Sequence, residues 1–253
     1  MHQLRRTRLE TLSEGVIGEE PLRSFIENDP WGVSPLPYIA HQRWVFVRCA
    51  DCAQMFHRHV LSPAWNARRF SEWMTEAARR QFLAATDTPE NAFNQGRRHV
   101  GHAVRIERLT RALRAHQAVR VLDFGCGWGE FLAVCEGFGF FCCGVDPSPA
   151  RRQNGQIHIL PDLERVKALP EAARGFHAIT LLEVLEHLDD PLSTLRSLRD
   201  HFVPRGILIL ETPDCAGVSD LRMERKLLQD RPARPHQCLH ARNTAQHGGP
   251  CRI

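Results

Sequence analysis

The 253-residue sequence predicts an α/β fold: a doubly wound parallel sheet of about five strands, with an N-terminal α+β appendage. Three observations carry this reading. The largely apolar run Val119–Leu122 ends in an acid, Asp123, and turns through glycines into a helical pattern. Apolar runs then alternate with amphipathic stretches, the rhythm of β-α-β units. Finally, Gly206–Leu210 is almost continuously apolar, as a strand buried on both faces of a parallel sheet requires.

The first run reads Val119-Arg-Val-Leu-Asp-Phe-Gly-Cys-Gly-Trp-Gly-Glu-Phe-Leu132, with Gly125, Gly127 and Gly129 at alternate positions. Glycine admits positive φ and lets a ligand approach without meeting a Cβ. The helix start beyond it offers unpaired N–H groups. Glu130 stands where the Gly-x-Gly-x-x-Gly dinucleotide fingerprint would continue, so that fingerprint fails.

The second strand, 138–145, ends in Asp146-Pro-Ser148. An acid there can accept hydrogen bonds from both hydroxyls of a ribose. Ile157–Leu160 is a short third strand with Asp162 after it, and Phe176–Leu182 is the fourth. The fourth runs into Glu183-Val-Leu-Glu-His187, where Glu183, Glu186 and His187 share one face if the turn is helical. Pro191–Phe202 is an amphipathic helix, Pro204-Arg-Gly206 a turn, and the fifth strand follows.

The glycine stretch resembles the first motif of class I S-adenosylmethionine (SAM) dependent methyltransferases, apolar-Asp-x-Gly-Cys-Gly-x-Gly. The Glu-Val-x-Glu-His segment resembles the methyltransferases similar to the ubiquinone-pathway O-methyltransferases. The likeness spans about Arg43 to Ser219. It implies a Rossmann-like sheet and SAM as cofactor, held by Asp123, Gly125, Cys126, Gly127, Gly129, Asp146, Ser148, Asp162 and Glu183. Within that set the glycines accommodate the methionine part, Asp146 the ribose and Asp162 the adenine amine. His187 is the candidate general base for a hydroxyl acceptor. The implied activity is methyl transfer to a small-molecule or sugar-type acceptor; the alternative is an impaired remnant that at most binds SAM. An NAD-dependent oxidoreductase is disfavoured by Glu130 and because the single tyrosine, Tyr38, lies outside the sheet.

Composition narrows the partners. A net charge of +4 without a basic, aromatic-interleaved stripe gives no reason to expect nucleic acid. No apolar run is long enough to span a membrane. The basic start, Met1–Arg8, is not followed by an apolar signal core, so no secretory signal is expected. Nine scattered cysteines favour reduced thiols and a cytoplasmic location over a disulfide framework.

The organisation expected is a loosely ordered lead-in (1–42), a zinc-ribbon-like strand, knuckle and strand (43–65), a helical cap (66–117), the SAM-binding domain (118–219) and an irregular tail (220–253). The knuckle offers one Cys-x-x-Cys, Cys49 and Cys52, while a closed zinc site needs four ligands. His57 and His59 follow at a cramped spacing. A degenerate ribbon held by packing is therefore expected, with zinc at Cys49 and Cys52 the alternative; no divalent ion is expected at the Glu-Val-x-Glu-His segment. The cap is read as two helices: 66–85, with Phe70, Trp73, Met74 and Phe82, and about 97–116, whose apolar residues are Val100, Val104, Leu109 and Leu113. From Pro232 onward no period is visible. With synonymous codons chosen freely, a one-nucleotide shift there can encode a His-Ile-x-x-Phe-Thr-Pro turn and an amphipathic helix, so a frameshifted terminus is expected. Without further strands, the fifth strand would be a sheet edge with an uncovered apolar face.

Overall fold

A computed structural model describes residues 8–28, 32–51, 53–59, 62–73, 75–113, 117–149, 151, 157–188 and 190–212. The chain divides into two compact units, residues 1–62 with 212–253, and residues 63–211. The tail from 213 on lies outside the described residues, and with it the reading of a shifted frame.

The first unit holds β1 (Leu9–Val16), α1 (Leu22–Glu27), α2 (Leu36–Ile39), β2 (Arg43–Cys49) and β3 (Met55–His57). The strands form one antiparallel sheet in the order β1-β2-β3. The lead-in expected to be loosely ordered thus contributes a full strand. Its alternation was hidden because a register shift between Thr11 and Ser13 breaks the period, and its sequence is mostly polar. What the sequence does carry is charge matching: Glu14 pairs with Arg43 and Glu10 with Arg48 across the strands. Leu22, Trp44, Phe46 and Met55 form the buried core of this unit.

Cys49 is buried at the end of β2, where its N–H donates to the Gln54 carbonyl and its carbonyl accepts from Ala53. Cys52 lies outside the described residues. His57 is buried with its ring 5.1 Å from that of Phe46 and 6.1 Å from that of Trp44. Burial pushes its imidazole down to about 4, so it packs as a neutral ring. Among the described residues no cluster of three or more His, Cys, Asp or Glu is placed to hold a metal.

The second unit opens with α3 (Pro63–Arg68), a π-helical turn at 69–73, α4 (Glu76–Thr86) and α5 (Pro89–Thr110). The helix expected over 66–85 is therefore interrupted. Thr75 leaves the helical region and caps α4, its Oγ1 accepting from the Ala78 N–H at 3.2 Å. Thr88 caps α5 in the same way through Asn91. The inward face of α5 is also not the one its apolar residues mark. Val100, Val104 and Leu109 are 44%, 41% and 55% exposed, whereas His102, Ala103, Ile106 and Thr110 are buried. Counting apolar residues missed this face because two of its members are polar side chains whose hydrogen bonds are satisfied inside. Thr110 Oγ1 donates to the Ile106 carbonyl, and His102 is bound to Glu211.

The sheet follows: β4 (Arg120–Phe124), α6 (Glu130–Gly137), β5 (Phe141–Val145), β6 (His158–Leu160), α7 (Leu163–Lys167), β7 (Phe176–Leu182), α8 (Pro191–Arg199) and β8 (Phe202–Glu211). Its order is β6-β5-β4-β7-β8, and every pairing is parallel. This is the doubly wound, Rossmann-like sheet the sequence predicts. Strand order reverses between β4 and β7, where open α/β sheets place their ligands. Val121 and Leu122 of the central strand β4 and Ile179 and Leu181 of its neighbour β7 are fully buried. The turn expected at Pro204–Gly206 is an irregularity inside β8: the register with β7 shifts between Phe176 and Ala178, and Arg205 takes φ 65°. Among the described strands β8 is an edge, and Leu208 and Leu210 on one of its faces are exposed.

Candidate functional site

The glycine stretch is a turn pinned to the neighbouring strand. The N–H groups of Gly125 and Cys126 both donate to the Val145 carbonyl, at 2.7 and 3.1 Å. Gly125 has φ 77°, and a Cβ there would lie 2.5 Å from Val184 Cγ2. Gly127 has φ 57° and faces open space, with no heavy atom within 4 Å of where its Cβ would stand. Gly129, φ 81°, is the N-cap of α6. Positive φ favours glycine at all three alternate positions; at Gly125 a Cβ would also meet Val184, and at Gly129 the left-handed residue is the helix entry.

Asp146, at the carboxyl end of β5, organises this turn from the other side. Its Oδ2 accepts from the Gly127 N–H at 3.1 Å and from Arg151 at 2.9 Å, and its Oδ1 accepts from the Ser148 N–H at 2.9 Å. Glycine turn, Asp146 and Ser148 therefore meet as the sequence leads one to expect, and Arg151 joins them. Cys126 is largely buried and burial pushes its thiol far up, so it packs and does not act as a nucleophile.

Asp123 faces across the switch point. Its Oδ1 accepts from Thr180 Oγ1 of β7 at 2.6 Å. Burial pushes its carboxyl up to about 7, the Thr180 bond opposing and nearby Asp146 reinforcing the rise. Asp162 lies two residues beyond β6 and caps α7, one oxygen accepting from the Arg165 N–H at 2.9 Å.

The Glu-Val-x-Glu-His segment does not present one helical face. The Glu183 N–H donates to the Glu211 carbonyl, which continues the β7–β8 ladder one residue past the strand, and Glu183 takes φ 58°. Only Leu185–His187 form a short 3₁₀ turn. Glu186 is buried there with His187 Nε2 3.9 Å from its Oε1, while Glu183 is turned toward Arg98 at 3.8 Å. The ladder outlasts the apolar run, which is why the spacing misled.

One constellation escaped the sequence reading. Glu211, at the carboxyl end of β8, accepts from Arg98 at 2.9 Å and lies 2.6 Å from His102 Nε2. Arg105 lies 3.2 Å from His102 Nδ1. A guanidinium only donates, so Nδ1 accepts and the Nε2–H donates to Glu211. The His102 bond, with Arg98 beside it, holds the Glu211 carboxyl below its ordinary value. His99 and His102 both set their rings edge-on against Phe131 of α6. Arg79 of α4 pairs with Glu130 and lies over the Trp128 ring, so α4 reaches the glycine turn as well. The only advance signal was the run of bases Arg97, Arg98, His99, His102 and Arg105 on α5, opposite a lone acid at the end of an apolar strand.

A glycine turn at the switch point of a parallel sheet, tied to an acid at the end of the next strand, is the nucleotide-cofactor end of a Rossmann-like sheet, and the family match makes this one a class I SAM-dependent methyltransferase domain. The chain belongs to the family described as "Methyltransferase domain", whose family model matches residues 65–247. It is similar to the ubiquinone biosynthesis O-methyltransferase of Azorhizobium caulinodans, 33% identical over 122 residues covering 46% of each chain. The enzyme of the same name from Xanthomonas campestris pv. campestris (strain B100) is 30% identical over 122 residues, 45% of this chain and 51% of that protein. The chain thus spans about half the length of the curated relatives it matches. Among solved structures, a SAM-bound amino pentose methyltransferase from Micromonospora echinaspora aligns with a TM-score of 0.36 at 24% identity, covering 50% of this chain and 56% of that one. Among the described residues no helix is long and apolar enough to cross a membrane.

Proposed function

We propose that the chain transfers a methyl group from SAM to an oxygen of a small-molecule or sugar-type acceptor at the carboxyl edge of β4, β5, β7 and β8. The observation that carries this reading is the Gly127 N–H bound to Asp146, beside open space at the Gly127 Cβ position. A cradle without a side chain and an acceptor-only carboxylate suit the methionine and ribose parts of SAM. When bound, SAM supplies a methyl group made electrophilic by its sulfonium. Gly125 to Gly129 would hold the methionine part, and Asp146 and Ser148 the ribose end; ribose hydroxyls would compete with Arg151 for the Asp146 carboxylate. Asp123 ties β4 to β7 beneath the site. Cys126 packs under the turn and Glu183 fixes Arg98 near the acceptor side. Asp162 keeps one oxygen for the adenine amine while the other caps α7.

The names of the relatives support an oxygen acceptor. His187, whose side chain is 11% exposed beside Glu186, suits positioning of the β7 end better than proton transfer. Catalysis would come mainly from alignment of acceptor and methyl group and from exclusion of water.

Calorimetric titration with SAM, followed by product detection with phenolic and sugar acceptors, tests the reading. The expected result is binding that weakens about 100-fold or more in Asp146→Ala, in line with the loss of charged hydrogen bonds, and turnover of a hydroxyl acceptor. Binding without turnover across both classes would favour the remnant. Absence of binding would overturn the reading.

A further inference from the structure

Between the glycine turn and the Glu211 cluster stands a histidine that neither one uses. His99 lies on α5 one turn before His102, half-buried, with its ring centroid 5.7 Å from that of Phe131. Phe131 is the second residue of the helix that the glycine turn opens. α5 packs against α6, β7 and β8, so His99 sits on the element that bridges the two sides of the switch point. Among the described residues its ring has no hydrogen bond, in contrast to its neighbour. His102 has both nitrogens engaged, by Arg105 and Glu211, and has no site left for a proton. His187 is enclosed beside Glu186.

We propose that His99 is the general base of the acceptor site, receiving the proton of a hydroxyl acceptor as its oxygen takes the methyl group; this rests on the SAM-dependent reading above. The step balances. The acceptor O–H proton passes to a His99 ring nitrogen as the oxygen lone pair forms the O–CH3 bond, and the electron pair of the broken C–S bond stays on sulfur. The products are a methyl ether, S-adenosylhomocysteine and a His99 imidazolium that returns its proton to water.

The surroundings keep the base ready. Burial against Phe131 and the adjacent Arg98 and His102 hold the His99 imidazole below its ordinary value, against the opposing pull of Glu130 from α6 and Glu211 from β8. The ring is therefore neutral at neutral pH, as a base must be before it acts. Glu211 then has a defined part: it anchors Arg98 and His102, the residues on either side of His99 along α5. It is a positioning residue in this scheme.

The test uses the full chain with catechol as the probe hydroxyl. SAM affinity comes from calorimetry, methylated catechol from mass spectrometry, and the His99 ring signal from ¹⁵N-histidine NMR, assigned by its absence in His99→Gln. The proposal expects His99→Gln to keep SAM affinity within about 2-fold while catechol turnover falls about 100-fold or more, the usual worth of a positioned base. It expects added imidazole to restore part of the turnover in His99→Ala. It also expects the His99 signal to shift when catechol is added with S-adenosylhomocysteine in place. Wild-type SAM binding with unchanged turnover in His99→Gln, or with a His99 signal indifferent to catechol, overturns the base assignment alone. So does loss of turnover in His187→Gln with none in His99→Gln. Failure of the wild-type chain to bind SAM overturns both this inference and the reading beneath it.

Discussion

The carboxyl edge of the sheet has two halves built by different means. At β4 and β5 it is made of backbone: the Gly125 and Cys126 N–H groups aimed at the Val145 carbonyl and the Gly127 N–H at the Asp146 carboxylate. At β7 and β8 it is made of long polar side chains converging from α5 and two strand ends: Arg98, the neutral His102, Glu183 and Glu211. The first half comes from segments that follow one another in the chain. The second joins positions more than a hundred residues apart, His102 and Glu211 among them. In the backbone half the restriction falls on the glycines, whose positive φ and, at Gly125, contact with Val184 disfavour any side chain. Side-chain sites can be re-specified one residue at a time.

The largest expected difference between the halves is in their response to pH. Asp123, under the backbone half, is raised to about 7 from an ordinary 3.8. A raised carboxyl favours folding fully below its unfolded value, and that contribution is lost as pH rises through about 7. The loss is on the order of 4 kcal/mol by proton linkage. Glu211 is lowered, so its contribution is present above about 4.5 and lost as pH falls through its folded value. Urea unfolding of the wild type and Asp123→Asn between pH 4 and 8 measures this. The stability of the wild type relative to the variant should decline with rising pH; a difference flat across that range would refute a proton held on Asp123.

Gly125→Ala comes next, at roughly 3 kcal/mol of lost stability, from a left-handed φ and a Cβ driven into Val184. Thermal melts should show a clear drop, and Val184→Ala in the same chain should recover part of it by removing the opposing methyls. A single variant with an unchanged melting temperature would mean the turn relaxes at no cost.

On the side-chain half, Glu211→Gln removes a charge held by Arg98 and His102 but keeps the shape. About 2 kcal/mol is expected, the usual scale of hydrogen bonds to a charged group. SAM affinity should stay within about 2-fold, since no part of the backbone half depends on it. A SAM affinity that falls as far as stability does would erase the distinction between the halves.

The same distinction explains what could be read from the sequence. The parallel sheet, the glycine turn and Asp146 were legible because each is a local pattern: an apolar run, alternate glycines, an acid at a strand end. β1 was not, since a register shift between Thr11 and Ser13 breaks its period, and the matching of Glu10 and Glu14 with Arg48 and Arg43 is visible only once the strands are side by side. The inward face of α5 was not legible because His102 and Thr110 count as polar in any periodicity yet are buried with their bonds made. Glu183 was placed on a helical face because spacing cannot reveal that the β7–β8 ladder carries on for one more residue.

The smallest expected effect on stability is also the sharpest probe of the backbone half. Gly127→Ala meets no atom within 4 Å, so its cost is only that of a left-handed φ, about 1 kcal/mol. The methyl group would stand in the open space beside the Asp146-bound N–H, where the proposed reading seats the cofactor. SAM affinity should therefore fall by about 10-fold or more while the melting temperature barely moves, the reverse of the pattern expected at Gly125, where stability fails first. The pair separates two uses of glycine two residues apart in one turn: Gly125 yields to the protein's own Val184, and Gly127 would, on the proposed reading, yield to the cofactor. Calorimetry and thermal melts on the two variants decide it. Equal loss of stability at both positions would make the turn purely structural, and retention of SAM affinity in Gly127→Ala would remove the cradle from the cofactor's path.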